Sequence, residues 1–307
     1  RTNEYGRVDK VAAKMLLAKL YLNAKVYTGT SKDTEALAAI NAVIGSSYAI
    51  ANVPYSNLFM ADNDRTAVQS EIIFPIRFNG VNTKTWGGTT FIIHASTGGW
   101  NSDMGVDGGW YGLAARKEFA NLFSDLSGTT DRRAMFDAGS TSTLTINSVS
   151  DFFGNGGLKV KKFSNKTSAG ANGSNLTHTD TDFPLFRLAD AYLMYAELAA
   201  NNVASASKSV ARGYVNALRT RAGAVAVAND SDITPDFVLD ERARELYWEG
   251  QRRTDLVRYN YFTTNTYVWP FKGNAPAGSS VGNFRNVFPI PSNTLQVNSN
   301  LTQNTGY

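Results

Sequence analysis

The chain has 307 residues, of which 43% are hydrophobic and 18% are charged, and it contains no long low-complexity tract. This composition is typical of a globular protein and excludes a disordered or fibrous one. The formal net charge is +4, but Lys and Arg are interspersed with acidic residues and form no run of five. A nucleic-acid-binding surface is therefore not expected.

The residue types that most often bind metals or act as nucleophiles are scarce. Cysteine is absent, which excludes disulfides, thiolate metal ligands and a cysteine nucleophile. The two histidines, His94 and His178, lack the close spacing to another histidine or acid that a zinc site requires, so we interpret both as surface or packing residues. We expect no metal and no cofactor. Because no apolar stretch approaches the roughly 18 residues of a membrane span, we expect any membrane attachment to lie outside this chain.

The first region, 7–78, has the pattern of a helical hairpin followed by a strand. Apolar residues recur at helical spacing from 8 to 27 and again from 33 to 43, which predicts two helices joined by a short turn that contains Gly29. The apolar run within 70–78 is too brief for a helix and predicts a strand.

The second region, 79–183, is rich in Gly, Ser, Thr and Asn, with aromatic residues among them. This composition predicts a large insertion made of loops and short strands. Helical spacing of apolar residues within it is confined to 113–123, where one short helix is expected.

The third region, 184–261, returns to helical periodicity. Apolar stripes at 184–201, 209–222 and 236–261 predict three helices. We expect these helices to pack on those of the first region, because their apolar stripes have no other partner. The last region, 262–307, carries several prolines and is expected to be an extended segment that wraps the body.

The predicted fold class is therefore mainly α. The paired helices carry small residues at their expected contacts, which suggests tetratricopeptide-like helical hairpins with a large loop-rich insertion containing short strands. The spacing is too irregular to establish repeats, and the pattern alone leaves open an unrelated all-helical domain with an inserted loop region.

Six segments, in order along most of the chain, match the pattern of one protein family. The strongest is an acid-arginine segment that reads DERARELYWEGQRRTDLVR. Each segment is loosely specified by itself, but a chance match of all six in the same order is improbable. The segments are Gly6 to Leu22, Ser70 to Ile76, Phe186 to Glu197, Tyr214 to Gly223, Asp240 to Arg258, and Phe288 to Pro291 followed by Asn298 to Tyr307. Together they resemble the SusD/RagB family of starch-utilisation-type outer-membrane lipoproteins.

The resemblance implies a binding protein and not an enzyme. Such proteins lie on a TonB-dependent transporter of the SusC type at the outer surface of the outer membrane, capture oligosaccharides and pass them to the channel. The implied partners are a glycan and that transporter. Family members usually carry a lipid-bearing cysteine and a further region ahead of the segment at Gly6, so 1–307 is expected to be the C-terminal portion of a single SusD-like domain. A peptide-binding lid of the RagB type remains an alternative.

The candidate ligand site lies in the insertion, where aromatic residues alternate with polar residues and glycines. Proteins hold neutral sugars by placing aromatic faces against the sugar ring and bonding its hydroxyls with amides or carboxylates. Three of the five tryptophans fall between 86 and 110, and the alternative is that their rings anchor the loops to the helices. The candidate ligand-binding residues are Trp86, Trp100, Asn101, Asp103, Trp110 and Tyr111.

Two other groups of charged residues have competing interpretations. The acids and arginines of 240–258 have the helical spacing of ion pairs, which favours a structural role over an acid-base site. A glycoside hydrolase needs two facing carboxyl groups, which Asp103 and Asp107 could supply, but nothing in the sequence places them opposite each other. The acidic segment 62–64 offers oxygen ligands for calcium, but it lacks a dedicated calcium loop and is interpreted as a turn.

Overall fold

The structure is a computed structural model that describes residues 4–65, 67–137, 143–153 and 156–307. These residues form two compact units, 1–250 and 251–307. The mainly α fold class is confirmed. The helices are α1 Lys10–Leu22, α2 Ala24–Thr28, α3 Asp33–Ile44, α4 Gly88–Ser96, α5 Lys117–Ala120, α6 Leu188–Ala200, α7 Lys208–Ala222, α8 Pro235–Leu246, α9 Arg252–Arg258 and α10 Ser292–Val297. The strands are β1 Ile72–Ile76, β2 Phe136–Asp137, β3 Lys159–Val160 and β4 Phe183–Arg187.

The helical core of unit 1–250 is built around α6. This helix is buried over almost its whole circumference, and it contacts α3, α7 and α8, while α1 packs against α3. A helix that is apolar on all sides must be surrounded in this way. The predicted packing of the first helical region on the third is therefore confirmed within this unit.

The first predicted helix is interrupted near its end. The α1 helix is capped at its N-terminus by Asp9. The carboxylate of Asp9 accepts a hydrogen bond from the Ala12 N–H at 2.8 Å and a second from the Tyr48 hydroxyl at 2.8 Å. The helix ends at Asn23, and the short α2 follows and closes at Gly29 in a left-handed conformation. That conformation favours glycine and ends the helix.

The predicted strand within 70–78 is confirmed as β1. It pairs antiparallel with β4, with Ile76 opposite Phe183. The helix expected over 184–201 therefore begins four residues late, at Leu188. The apolar residues just before Leu188 belong to the strand β4 and not to a helix. The reason is that β1 offers backbone hydrogen-bond partners, which the sequence pattern does not reveal.

The single helix expected over 236–261 is wrong. The α8 helix ends at Leu246 and α9 begins at Arg252, while Trp248 and Gly250 adopt positive φ values of 62° and 75°. This turn brings buried Glu249 to the guanidinium of Arg187, at 2.6 Å. The ion pair between Glu249 and Arg187 therefore accompanies a break in the chain where local periodicity predicts a continuous helix.

The insertion contains more regular structure than its composition predicts. The nine-residue α4 was not expected, because the segment is rich in glycine and β-branched residues that weaken helices. Threonine side chains hold it in place: the Thr89 hydroxyl donates to the Thr181 carbonyl at 2.7 Å, and Thr90 accepts from the Thr179 N–H at 3.1 Å. The helix expected over 113–123 is present as the short α5.

The unit 251–307 is largely irregular, apart from α9, α10 and two short 3-10 segments at 272–274 and 283–286. Within 262–307, which was expected to be an extended segment that wraps the body, the regular elements are α10 and these two 3-10 segments. Among the described residues, no helix combines the length and apolar character needed to cross a membrane.

Candidate functional site

Two tryptophans of the insertion form an exposed aromatic pair. The ring centroids of Trp86 and Trp110 lie 5.9 Å apart at an interplanar angle of 44°. Trp86 is 63% exposed and Trp110 is 37% exposed, so neither ring is a buried anchor for the loops. Phe91 on α4 extends the surface, with its centroid 6.3 Å from that of Trp110. We refer to Trp86, Phe91 and Trp110 as the aromatic platform.

The Trp110 indole rests on a buried histidine. The imidazole of His94 lies 4.4 Å from the indole, with the two planes only 14° apart. Its Nδ1 lies 2.5 Å from the Gly108 carbonyl oxygen and its Nε2 lies 3.0 Å from the Thr177 carbonyl oxygen. His94 is thus a packing residue, as predicted, but it also fixes the orientation of a candidate ligand-binding ring.

The backbone that carries Trp110 is bonded to the end of α4. The Trp110 N–H donates to the His94 carbonyl at 2.8 Å, and the Tyr111 N–H donates to the Thr97 carbonyl at 3.2 Å. A Cβ on Gly109 would lie 2.5 Å from the Thr97 hydroxyl oxygen, so only glycine allows this approach. The platform is therefore supported by α4, although its two tryptophans belong to loops.

His178 supports the other half of the platform. Its imidazole meets the Trp86 indole edge to face, with centroids 4.7 Å apart, and its Nδ1 lies 3.2 Å from the Thr85 carbonyl oxygen. Sequence reasoning missed Phe91, His94 and His178 as parts of the site. The i to i+3 spacing of Phe91 and His94 would have indicated them only if α4 had been predicted.

Among the described residues, no ring contact or side-chain hydrogen bond joins the remaining predicted site residues to the aromatic platform. Trp100 is half-buried against a buried apolar cluster that includes Phe59, Ile93 and Met104, and the ammonium of Lys161 lies 5.1 Å from its centroid. Asn101 and Asp103 lie in the 3-10 segment 101–104 and direct no side-chain hydrogen bond to another described residue. Tyr111 has a positive φ of 59°, and its ring lies against Gly98.

Of the residues considered for catalysis or metal binding, Asp107, Asp62 and Asn63 have structural partners. The carboxylate of Asp107 accepts a hydrogen bond from the Thr177 hydroxyl, while Asp103 is exposed. Asp62 accepts hydrogen bonds from the Ser168 N–H and hydroxyl, and the amide of Asn63 donates to the carbonyls of Leu58 and Asp182. Within the described ranges, no group of three or more His, Cys, Asp or Glu side chains is placed to hold a metal ion.

The acid-arginine segment contributes to a buried ion cluster instead of an acid-base site. Arg187 contacts Glu71 at 3.1 Å, Glu245 at 2.6 Å and Glu249 at 2.6 Å. The Lys162 ammonium lies 2.6 Å from Glu249. The predicted structural role is borne out, although most partners are remote in sequence and not on the same helix. The members of this buried ion cluster are Glu71, Arg133, Lys162, Arg187, Arg221, Glu241, Glu245 and Glu249.

The cluster holds the insertion on the helical core, because its cations come from both. Arg133 of the insertion contacts Glu241 of α8 at 2.8 Å. Burial alone would raise the pKa of Glu241, but Arg133, Arg244 and Arg219 outweigh burial and bring the pKa to about 2. Burial lowers the pKa of Lys162 to about 8, against the opposing attraction of Glu249. Paired charges of this kind are costly to separate, so they hold Arg133 and Lys162 of the insertion on the helical core.

A sequence profile of the SusD family matches residues 145–307, which is more than half of the chain. The chain belongs to the SusD family. The matching region includes the buried ion cluster residues Lys162, Arg187, Glu245 and Glu249. It leaves out the aromatic platform, which lies upstream.

Known members of the family resemble the chain over its whole length. The starch-binding protein SusD of Bacteroides thetaiotaomicron is 36% identical over 350 residues, which cover 100% of this chain and 62% of SusD. The chain thus spans less than two thirds of the length of this relative. A SusD superfamily protein of Parabacteroides distasonis has a crystal structure with a TM-score of 0.69 and 23% identity, covering 99% of this chain and 64% of that protein.

A third relative was solved with a sugar bound. Surface glycan-binding protein A of Bacteroides thetaiotaomicron, in complex with laminarihexaose, has a TM-score of 0.69 and 22% identity. The match covers 99% of this chain and 65% of that protein. At this identity the likeness shows the SusD fold. The starch-binding protein SusD and surface glycan-binding protein A are named as binding proteins and not as enzymes.

Proposed function

We propose that the chain belongs to a cell-surface protein that binds an oligosaccharide and delivers it to a TonB-dependent outer-membrane transporter of the SusC type. The observation that carries the binding part is the exposed pair of Trp86 and Trp110, held by buried His94. Flat, exposed indole faces are the surfaces on which proteins stack sugar rings. A SusD family relative that binds starch and another solved with laminarihexaose support the same ligand class.

The proposed binding site includes all six residues identified from the sequence. Trp86 and Trp110 provide the stacking faces, and Asn101 and Asp103 provide groups that can bond sugar hydroxyls. Trp100, which packs on buried apolar residues, and Tyr111, which follows Trp110 in the chain, complete the proposed set. Phe91, which is 46% exposed, adds a third apolar face to the platform.

Binding to the natural full-length protein tests the proposal. We expect calorimetric titration to detect binding of maltohexaose or laminarihexaose. Trp86→Ala and Trp110→Ala should each cost about 2 kcal/mol or more of binding free energy. Tyr27→Ala is a matched control, because Tyr27 is an exposed aromatic residue on α2, outside the insertion. Unchanged binding in both tryptophan variants would refute the site. Release of reducing ends would favour a hydrolase, and selective capture of peptides would favour a RagB-type lid.

The transporter step needs a separate experiment. We expect the full-length protein to co-purify with a TonB-dependent transporter from detergent-extracted outer membranes. If the protein purifies without any such transporter and still binds glycan, the proposed delivery is refuted and the proposed binding stands.

A further inference from the structure

The net positive charge of the chain is located in residues 251–307. This unit contains five Lys or Arg residues and one acidic residue, Asp255, whereas the preceding 250 residues contain 25 of each sign. Asp255 contacts Arg258 at 2.8 Å. Within the described part of the chain, no carboxylate lies within ion-pair distance of Arg253, Lys272 or Arg285. Three cations of this unit therefore lack a compensating acid.

These three cations line one cavity together with aromatic rings. The cavity has a volume of about 780 Å³, and all of its lining residues belong to 251–307. Phe288 is 68% exposed and Tyr307 is 44% exposed. We call the cavity the basic aromatic groove. Its principal lining residues are Arg253, Lys272, Arg285, Trp269, Phe288 and Tyr307.

The two arginines of the groove retain hydrogen-bonding capacity. The guanidinium of Arg253 lies 3.9 Å from the ring centroid of Phe288 and 4.8 Å from that of Phe262. Its Nη2 donates to the carbonyls of Arg285 and Asn286, whereas Nε and Nη1 have no partner among the described residues. Arg285 is exposed, and its side chain donates no hydrogen bond to any residue that the structure describes. Arg285 can therefore bind an oxyanion through two parallel donors, and Arg253 can donate to one through Nε or Nη1.

Lys272 adds a buried positive charge. Its ammonium donates to the carbonyls of Tyr261, Thr264 and Tyr267 at 3.3, 2.5 and 2.6 Å, and it lies 4.7 Å from the Trp269 centroid. Carbonyl oxygens satisfy its hydrogen bonds but do not neutralise its charge. The field of this ammonium favours an anion in the groove.

We propose that the basic aromatic groove binds an acidic saccharide, whose carboxylate or sulfate group pairs with Arg253 and Arg285 while its ring lies against Phe288. A neutral sugar would leave all three cations uncompensated. The exposed ring faces favour a saccharide over an acidic peptide, since they offer a stacking surface beside the cations. All of the residues involved lie in 251–307, so the proposal does not depend on ligand binding by Trp86 and Trp110.

Binding of the whole chain to three probes tests this inference. The probes are tetragalacturonate, which carries carboxylates, a carrageenan tetrasaccharide, which carries sulfates, and neutral maltotetraose. We expect at least one charged probe to bind, and Arg285→Gln to weaken it roughly tenfold, as expected for the loss of a charge-assisted hydrogen bond. Raising the ionic strength to about 0.5 M should also weaken that binding, because salt screens the groove. Lys14→Gln is the matched control, because it removes one exposed positive charge from α1.

The possible outcomes separate this site from the aromatic platform. A Trp86→Ala/Trp110→Ala variant should retain binding of the charged probe, and its loss would place that probe on the platform and overturn the proposal. Failure of both charged probes to bind, or equal binding by wild type, Arg285→Gln and Arg253→Gln, would also overturn it. A glutamate-rich peptide that displaces the charged saccharide and binds more tightly would assign the groove to an acidic protein segment. Circular dichroism checks the fold of each variant.

Discussion

The imidazole of His94 lies parallel to the Trp110 indole at a centroid distance of 4.4 Å, and it joins a solvent-exposed ring to the buried interior of the insertion. His94 is itself held by two carbonyls, those of Gly108 and Thr177. An exposed indole is a good stacking surface only if its orientation is set before the ligand arrives, because ordering it on binding would cost affinity. The packing of His94 inside the insertion therefore sets the orientation of Trp110 that the proposed sugar stacking requires.

Substitutions at His94 can separate stacking from hydrogen bonding. Both His94→Phe and His94→Ala remove the imidazole, whose nitrogens lie within hydrogen-bond distance of the Gly108 and Thr177 carbonyls, and each should lose about 1–3 kcal/mol of unfolding free energy. His94→Phe keeps an aromatic ring beneath Trp110 and should retain most of the glycan affinity, whereas His94→Ala should lose about tenfold. Denaturation and calorimetric titration of both variants provide the measurements. Equal loss of affinity in the two variants would show that stacking does not position Trp110.

Trp86 and Trp100 should respond differently to truncation. Trp86 is 63% exposed, so Trp86→Ala should lower glycan affinity and leave the melting temperature nearly unchanged. Trp100 packs on a buried cluster, so Trp100→Ala should cost about 1–3 kcal/mol of unfolding free energy through lost apolar contacts. Thermal melts alongside binding isotherms test the contrast. Loss of affinity in Trp100→Ala at an unchanged melting temperature would make Trp100 a direct ligand contact.

Breaking the buried ion cluster should lower stability without removing ligand binding selectively. Glu249→Ala leaves Lys162 and Arg187 buried without one of their carboxylates, which should cost about 3–5 kcal/mol. Asp230→Ala is the control, because its partly exposed pair with Arg212 should contribute only about 0–1 kcal/mol. Arg252→Ala, which loses a hydrogen bond to the Tyr267 hydroxyl, should also lower the stability. Binding lost from a Glu249 or Arg252 variant with unchanged melting behaviour would place a ligand at the substituted residue.

Asp182 should make stability depend on pH in a defined window. Burial raises the pKa of this carboxyl to about 6, and a hydrogen bond from the Phe78 N–H at 2.7 Å offsets burial only in part. Between about pH 4 and pH 6 the folded protein binds more protons at this site than the unfolded chain, so the contribution of Asp182 to stability falls as the pH rises.

Asp182→Asn provides the test, because asparagine keeps the acceptor for Phe78 and does not ionise. The variant should lose this component of the pH dependence, which amounts to at most about 3 kcal/mol between pH 4 and pH 7. Urea denaturation of both proteins at the two pH values measures it. The same difference between pH 4 and pH 7 in both proteins would mean that Asp182 does not titrate in this window.

The sequence by itself determined the helical scaffold and its order. The helices α3 and α7 lie within about one residue of the segments marked by apolar periodicity, because each buries a single stripe. The family resemblance and the aromatic composition of 86–110 also directed attention to the insertion. These are local signals, and no knowledge of distant contacts is needed to recognise them.

Only the tertiary structure decided which residues of different segments meet. Contacts between residues that are apart in the sequence decide three features that periodicity did not predict. They are the break at Trp248, the strand over Phe183–Arg187 and the pairing of Trp86 with Trp110. The partners of Arg187 illustrate the reason, since Glu71 lies 116 residues before it and Glu249 lies 62 residues after it. Local spacing indicates which face of an element is buried. Burying a charge, in contrast, requires a partner, and that partner is chosen by whichever elements the fold brings together.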